Sequence, residues 1–379
     1  MRFIRILFPL LLLQLASPAQ KKAVSLKDSL DGAFDLSNFI IDANGFVPVP
    51  YIITEPALGG FGLAVAPVFI KKRPPIVDTV NGKVIYTPVA PDLTGGVAAY
   101  TANNSWIFGA FRSGTLIKSR IKYTIGAAYA NINMDFYRDI PNIGEKKFSF
   151  NFRTVPIFLQ ATKRISFSKW YAGLKYLYLN TDVSYNGTLP DFVKPQDMKS
   201  IVSQLGLVLE LDTRDNIFSP DRGSKLHLDG LNSGSYIGSD YDFWKLNYYL
   251  YTYKPILQNL ILGVRLDGQQ ALGNPPFYLL PYIDMRGIPI EKYQGNADIL
   301  AELETRWDFT MRWSAVFFGG TGKAFDDWTD FGSSPWIFSY GTGFRYLMAR
   351  KFKLRMGIDV AHGPGTWAYY IVFGSNWMK

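Results

Sequence analysis

The chain of 379 residues contains no cysteine and only two histidines. The absence of cysteine excludes a disulfide framework and a thiolate metal site. His227 and His362 lack a second histidine at the spacing of a zinc site, and no Gly-x-Ser-x-Gly elbow occurs. The sequence therefore predicts a protein that is not an enzyme and that binds no cofactor or metal. A barrel hydrolase built around one histidine is the alternative that this inventory leaves open.

Long apolar runs are also scarce. Beyond residue 19, no run reaches the roughly 18–20 residues of a transmembrane helix. Yet 48% of the residues are hydrophobic and 16% are aromatic, while mean hydropathy is only +0.01. Apolar side chains that alternate with polar ones explain both values, because each strand of a membrane barrel has one face toward lipid and one toward a wet lumen.

The N-terminus has the pattern of an export signal. Arg2 and Arg5 precede a short apolar run, and Ser17 and Ala19 are small enough for signal peptidase. We predict a signal peptide over residues 1–19, a short N-terminal periplasmic segment over 20–55 and a barrel over 56–379. A short anchor helix is the alternative for residues 1–19, but the apolar run is too short to span a bilayer.

One segment alternates almost perfectly. From residue 298 the even positions are polar with one exception, and the odd positions are mostly apolar. The even set is Asp298, Leu300, Glu302, Glu304, Arg306, Asp308, Thr310 and Arg312. Because successive strand side chains point to opposite faces, this strand would have one apolar and one charged face. A barrel with an ion-paired lumen fits this pattern better than a water-soluble sandwich.

Similar alternation recurs along the chain and predicts an all-β fold. The candidate strands lie at 58–71, 94–103, 105–116, 119–137, 146–163, 168–186, 199–214, 222–236, 241–255, 258–272, 297–312, 313–325, 336–349, 352–362 and 366–378. This is an odd number, whereas single-chain outer-membrane barrels have an even one. We therefore predict a transmembrane antiparallel β-barrel of 16 strands. The longer connectors, at 72–93, 187–198, 273–296 and 326–335, are predicted to face outward.

Three motifs resemble those of the BamA/TamA superfamily of outer-membrane barrels, the bacterial surface antigen family. The first is a strand and turn that contains Asp212, Arg214, Asp215, Asn216, Pro220 and Gly223. The second is Arg286-Gly287-Ile288, which is similar to the family's lumen loop motif. The third is Glu304-Thr305-Arg306, which resembles the Glu-x-Arg element of the following strand.

The resemblance implies that the loop folds back into the lumen, where Arg286 pairs with an acid. Glu304 is the matching partner, and Glu302 and Asp308 share its strand face. A shielded Arg–carboxylate pair would hold the loop in one geometry. The alternative is that Arg286 is an exposed arginine in a surface turn.

Two features depart from the family pattern. Gly320 stands where the family usually has an aspartate that is a second partner for the loop arginine. Only about 25–35 residues precede the predicted barrel, too few for one periplasmic POTRA module. The resemblance therefore implies a short form without POTRA domains, whose client-docking platform is missing or comes from another chain.

The resemblance also implies a function. We expect a barrel in the outer membrane of a Gram-negative-type bacterium that assists insertion or translocation of proteins or lipids through a lateral seam. The seam would lie between a first strand at about Gly59 to Lys71 and a last strand at about Thr366 to Met378. The alternative is a structural barrel or passive pore.

The expected partners follow from the same function. They are outer-membrane lipids, separate periplasmic or lipoprotein subunits, and unfolded outer-membrane or secreted clients. Nucleic acid is not expected, because basic and acidic residues are interleaved along the strands.

Overall fold

The computed structural model describes residues 25–42, 46–71, 73–80, 83–87, 89, 91–140, 144–166 and 168–377. The predicted signal peptide, 1–19, lies outside these ranges. The strands are β1 (Phe46–Ile53), β2 (Gly62–Lys71), β3 (Ile76–Val80), β4 (Lys83–Thr87), β5 (Asp92–Thr101), β6 (Trp106–Leu116), β7 (Ile121–Ile140), β8 (Gly144–Arg164), β9 (Trp170–Tyr185), β10 (Lys199–Asp212), β11 (Gly223–Ser233), β12 (Phe243–Leu257), β13 (Leu260–Gly273), β14 (Ala297–Asp308), β15 (Trp313–Phe325), β16 (Ile337–Ala349), β17 (Leu354–Gly363) and β18 (Thr366–Phe373). One helix, α1, spans Ser37–Asp42, and short 3₁₀ helices occur at Pro56–Leu58, Pro195–Met198, Ser235–Ile237, Phe277–Leu279, Trp328–Phe331 and Arg350–Phe352.

Sixteen of these strands form one antiparallel sheet in chain order, from β1 to β18, and β3 and β4 form a separate two-stranded sheet. The predicted all-β barrel of 16 strands is confirmed. Fifteen of the strands match the candidates from the sequence. The additional one is β1, which pairs with β2 from Phe46↔Phe69 to Ile53↔Gly62.

β1 corrects two expectations. The sheet begins at Phe46, inside the segment that we assigned to the periplasm, rather than at residue 56. The first strand is therefore not the one near Gly59 to Lys71. Gly59 and Gly60 lie in the turn between β1 and β2 with φ of 87° and 73°, a conformation that favours glycine.

The two faces of the sheet separate as the alternation predicts. On β14, Leu303 and Trp307 are exposed on the outer face, whereas Asp298 and Glu302 are buried on the inner face. Exposed apolar side chains on an outer barrel surface are what a lipid environment requires. The charged residues therefore line the lumen.

Both described chain termini lie at the end of the barrel where most turns are short, the periplasmic end by the arrangement of outer-membrane barrels. The loops 186–198, 234–242, 274–296 and 326–336 lie at the opposite, outer end. The connector at 72–93 was predicted to face outward, but it joins β2 to β5 and lies at the periplasmic end. It carries the two-stranded sheet of β3 and β4.

The outer end is extended and filled with aromatic side chains. β7 has 20 residues and β8 has 21, about twice the 9–11 that span a membrane. Phe136, Phe148, Phe150 and Phe152 from these strands are buried with Phe277, which belongs to loop 274–296. The Phe136 and Phe277 rings lie 5.0 Å apart. This cluster packs loop 274–296 against the outer parts of β7 and β8.

The sheet is nearly closed, with one unsealed seam between β1 and β18. No β-ladder joins these two strands in the described structure, because the sheet order ends at β1 on one side and at β18 on the other. Side chains meet across the gap: the Tyr51 and Phe373 rings are 6.0 Å apart, and the Tyr369 hydroxyl donates to the Gly60 carbonyl at 3.3 Å.

Prolines explain why β1 has a weak outer edge. Pro48 lies opposite Pro67 in an unbroken ladder, and neither residue has an N–H to donate. The hydrogen bonds between β1 and β2 must therefore be made by the residues that alternate with the prolines. The backbone groups of Pro48 and Pro50 consequently point away from β2, toward the seam. The seam edge of β1 therefore lacks two N–H donors. Proline on a free strand edge commonly prevents pairing with another strand in this way.

Candidate functional site

Loop 274–296 folds back into the lumen and is held there by an apolar cluster. Ile283, Met285 and Ile288 from the loop are buried with Leu300 of β14 and Ile337 of β16. Leu300 is the one apolar member of the polar face that the sequence identified. Its position beneath the loop gives this exception a physical reason.

Arg286 is the centre of a buried ion-pair network. Its Nη2 lies 2.8 Å from Glu302 Oε1 and 2.8 Å from Glu304 Oε2, and its Nη1 lies 2.9 Å from Asp359 Oδ2. The guanidinium also lies over the Phe318 ring, 3.5 Å from its centroid, in the geometry of a cation–π contact. The exposed surface turn, which was the alternative for Arg286, does not describe this arrangement, since Arg286 is 3% exposed.

The third acid of this network comes from β17, not from the face of β14 on which the sequence placed the partners of Arg286. Asp359 of β17 is fully buried, and Arg345 of β16 contacts both of its oxygens at 2.5 and 2.9 Å. Gly320 of β15, where the family pattern has an acid, leaves no room for one. A Cβ there would lie 2.7 Å from Met285 Sδ, 2.8 Å from the Ala301 carbonyl oxygen and 2.9 Å from Glu302 Cγ. The loop occupies the space that an aspartate would need.

Gly287 allows the sharp turn that follows Arg286. Its φ is +84°, and a Cβ would approach the Gly363 nitrogen to 3.1 Å, so a larger residue would be strained and crowded. The Gly287 N–H donates to the Tyr370 hydroxyl of β18 at 2.9 Å. The loop motif therefore touches one of the two strands that border the seam.

The chain after β18 also enters this network. β18 ends at Phe373 rather than near Met378, and Trp377 is buried with Tyr251, Tyr253 and Ile261. The Trp377 Nε1–H donates to Glu302 Oε2 at 3.0 Å. Glu302 also accepts from Arg265 Nη1 at 3.1 Å, so this carboxylate joins the loop, the wall and the C-terminal end.

The strand–turn motif forms a compact turn between β10 and β11. Asp212 holds Arg214 through two hydrogen bonds of 3.0 and 2.7 Å. The Asp215 carboxylate accepts from two backbone N–H groups of the turn, and the Asn216 side chain accepts from those of Phe218 and Ser219. Gly223 closes the turn with φ of +103°. These residue types are needed because their side chains accept from backbone N–H groups of the turn that the main chain leaves without a partner.

The same turn is tied to other elements at the periplasmic end. Asn216 donates to the Phe352 carbonyl at 2.9 Å, Lys353 pairs with Asp215 at 2.9 Å, and Arg306 donates to the Pro220 carbonyl at 3.2 Å. Asp308, which we considered as a partner for Arg286, pairs instead with Arg306 and Arg355 at 3.0 and 3.3 Å. The predicted residues therefore form two groups, one at the loop and one at this turn.

His227 has carboxylate neighbours that sequence spacing did not reveal. Its Nδ1 lies 3.0 Å from Glu210 of β10, and its Nε2 lies 2.8 Å from Asp229 of β11. The ring also stacks on Tyr249 at 4.7 Å. Within the described ranges, no group of three or more His, Asp or Glu side chains is placed to hold a metal ion. Nor does any helix in that part of the chain have the length and apolar character needed to cross a bilayer.

Comparison with known proteins supports the resemblance. Residues 110–280 match the Omp85 superfamily domain. The fold is similar to that of BamA from Haemophilus ducreyi lacking POTRA domains 1–3, with 13% identity, a TM-score of 0.57, and coverage of 87% of this chain and 70% of that one.

Two CdiB structures are also similar in fold. The protein from Escherichia coli has 11% identity and a TM-score of 0.60 over 88% of this chain and 63% of its own. The protein from Acinetobacter baumannii has 11% identity and a TM-score of 0.55 over 87% and 58%. The chain thus spans less than two thirds of either CdiB chain. None of the curated proteins is similar enough in sequence to count as a match.

Proposed function

We propose that the protein is an outer-membrane barrel of the Omp85 superfamily, and that it assists insertion or translocation of proteins, or of lipids, by opening the seam between β1 and β18. The observation that carries this proposal is the seam itself. In the described sheet of 16 strands, fifteen neighbouring pairs are joined by ladders, and the pair of β1 and β18 is not. Every other route through the wall would break a full row of backbone hydrogen bonds.

The energetics of the seam favour opening there. The contacts across it are a tilted aromatic pair and a hydroxyl–carbonyl hydrogen bond. Such interactions contribute about 0.5–1.5 kcal/mol each. A ladder of eight residues, such as that between β1 and β2, would be far costlier to separate in lipid, where each unsatisfied backbone group costs several kcal/mol.

A passive pore fits the lumen less well. Loop 274–296 lies inside it, held by the network around Arg286, and the cluster around Phe277 packs the same loop against β7 and β8. Opening a conduit for ions would require both to move. We therefore favour a lateral route through the seam over an axial route through the lumen. A purely structural barrel is the alternative that the experiment distinguishes from the lateral route.

The proposed partners follow from the same route. Lipids would border the open seam, and an unfolded outer-membrane or secreted client would use it. Docking of clients would fall to separate periplasmic or lipoprotein subunits. No catalytic step is proposed.

Depletion of the protein followed by quantitative outer-membrane proteomics tests the function. We expect other barrels or a defined set of secreted proteins to decrease, and a plasmid-borne wild-type copy should restore them. If the profile is unchanged while the lipid composition shifts, lipid is the cargo. If neither changes, the structural barrel or pore is the better account.

A further inference from the structure

The N-terminal strap, which we define as residues 25–42, is bound to the periplasmic end of the barrel by Arg312. This buried arginine lies between β14 and β15, and its three nitrogens contact three carboxylates of the strap. The distances are 2.5 Å to Asp28, 2.6 Å to Asp31 and 2.7 Å to Asp35. Arginine offers five donors in a fixed fork, which suits it to such multiple contacts.

The turn between β16 and β17 provides the second half of the binding site. Arg350 Nη2 donates to Asp28 Oδ1 at 2.9 Å, and its backbone N–H donates to Asp35 Oδ2 at 2.9 Å. The backbone also takes part: the Leu36 N–H donates to the Met348 carbonyl at 2.7 Å, and the Lys351 N–H donates to Ser37 Oγ at 3.1 Å. Side-chain and main-chain contacts together fix the strap in one register.

The strap crosses the seam. It precedes β1 in the chain, yet it binds the turns of β14–β15 and β16–β17, which lie on the β18 side of the open sheet. Three residues separate the end of α1 from Phe46. A fully extended chain covers at most about 3.6 Å per residue, so Phe46 cannot lie more than about 14 Å from the Cα of Asp42. With the strap bound, the start of β1 is therefore tethered near the strands on the other side of the gap.

We infer that the strap restrains the seam from the periplasmic side, so that wide separation of β1 from β18 requires the strap's aspartates to leave Arg312 and Arg350. This inference rests on the proposed opening of the seam and adds the element that limits it. The binding energy of the strap then becomes part of the free-energy difference between the closed and the open barrel. A partner that competes for Arg312 and Arg350 would shift that balance toward opening.

The test uses the absence of cysteine from the natural chain. Tyr51→Cys with Phe373→Cys reports contact across the seam through the rate of thiol cross-linking, measured on purified protein in lipid nanodiscs. In separate variants, a dye on Leu30→Cys, a position 66% exposed, reports release of the strap through its anisotropy. The perturbation replaces Asp28, Asp31 and Asp35 of the strap by asparagine, which leaves the barrel itself unchanged.

We expect the triple asparagine variant to lower the dye's anisotropy and to slow cross-linking across the seam. Arg312→Gln should do the same from the barrel side, and Lys254→Gln, an exposed residue of another strand end, should do neither. Two results would overturn the inference: a strap that is released while cross-linking keeps its wild-type rate, or a strap that stays bound without the three carboxylates that contact Arg312. Because no client is present, these results do not depend on the outcome of the depletion experiment.

Discussion

Removal of the Arg286 side chain should destabilise the barrel. Most of the loss should come from one of its three carboxylate partners, because the other two each keep a second arginine. After Arg286→Ala, Glu302 keeps Arg265 and Asp359 keeps Arg345. Glu304 differs, since among the described residues no other Lys or Arg nitrogen is recorded within ion-pair distance of it. Its side chain is 11% exposed, so it would remain a poorly solvated, unpaired charge.

The magnitude follows from this division. Breaking a buried ion pair by removing one partner costs about 3–5 kcal/mol. Because two of the three carboxylates keep a partner, we expect a loss near the lower end, about 3 kcal/mol, in the free energy of unfolding. Replacing Glu304 by alanine in the Arg286→Ala background should then add little, since it removes the charge that had been left unpaired. The coupling between the two positions should exceed about 1 kcal/mol.

Denaturant unfolding of the detergent-solubilised protein, followed by the loss of folded-barrel mobility on gels, measures these energies. The matched control pairs Arg286→Ala with Asp308→Asn, because Asp308 contacts Arg306 and Arg355 rather than the loop. The losses of unfolding free energy caused by these two substitutions should add to within about 0.5 kcal/mol. If Arg286→Ala and Glu304→Ala are equally additive, the two side chains do not form the pair described here.

Three further outcomes are expected. Gly320→Ala should lower the free energy of unfolding by about 1–3 kcal/mol, because its Cβ would overlap the loop. Gly319→Ala should be tolerated in the same unfolding assay, since the nearest atom to its Cβ would lie 3.7 Å away. Trp377→Phe should lose about 1–2 kcal/mol with the hydrogen bond to Glu302, and a truncation before Trp377 should lose more, measured by thermal unfolding. Hydrogen bonds from Arg350 and Arg312 lower the pKa of Asp28 and Asp31 respectively. A carboxyl group whose pKa is lowered in the bound strap stabilises that state at pH values above its unfolded pKa of about 3.9. This stabilisation is lost as the pH falls through the lowered pKa. The dye on Leu30→Cys should therefore show a bound strap at neutral pH and release in strong acid.

Alternation predicted most of the barrel because lipid and lumen impose opposite demands on neighbouring side chains. β14 is the clearest case, with Glu302 and Leu303 on opposite faces. β1 escaped the same reasoning because Pro48 and Pro50 normally argue against a strand. At the seam, the edge of β1 pairs with no other described strand, so the missing N–H groups cost no hydrogen bond. The prolines that argued against a strand are therefore compatible with a strand beside the seam.

The loop network could be predicted only in part. The motifs placed Arg286 with acids on β14, but they gave no sign of Asp359, which lies three strands away in the sheet. Alternation along a strand does not give the height of a residue in the barrel, and only the register of β15, β16 and β17 brings Asp359 to the loop. The same limit applies to the strap, since Asp28, Asp31 and Asp35 meet Arg312 across some 280 residues of sequence, with separations of 284, 281 and 277.

The most direct test of the account is to lock the seam in living cells. Tyr51→Cys with Phe373→Cys, joined by a short thiol cross-linker, should abolish the ability of the protein to restore the outer-membrane proteome of depleted cells. Each single cysteine should restore it fully. If the locked protein, with cross-linking verified on the same cells, restores the proteome as well as the wild type does, the seam is not the route and the central claim fails.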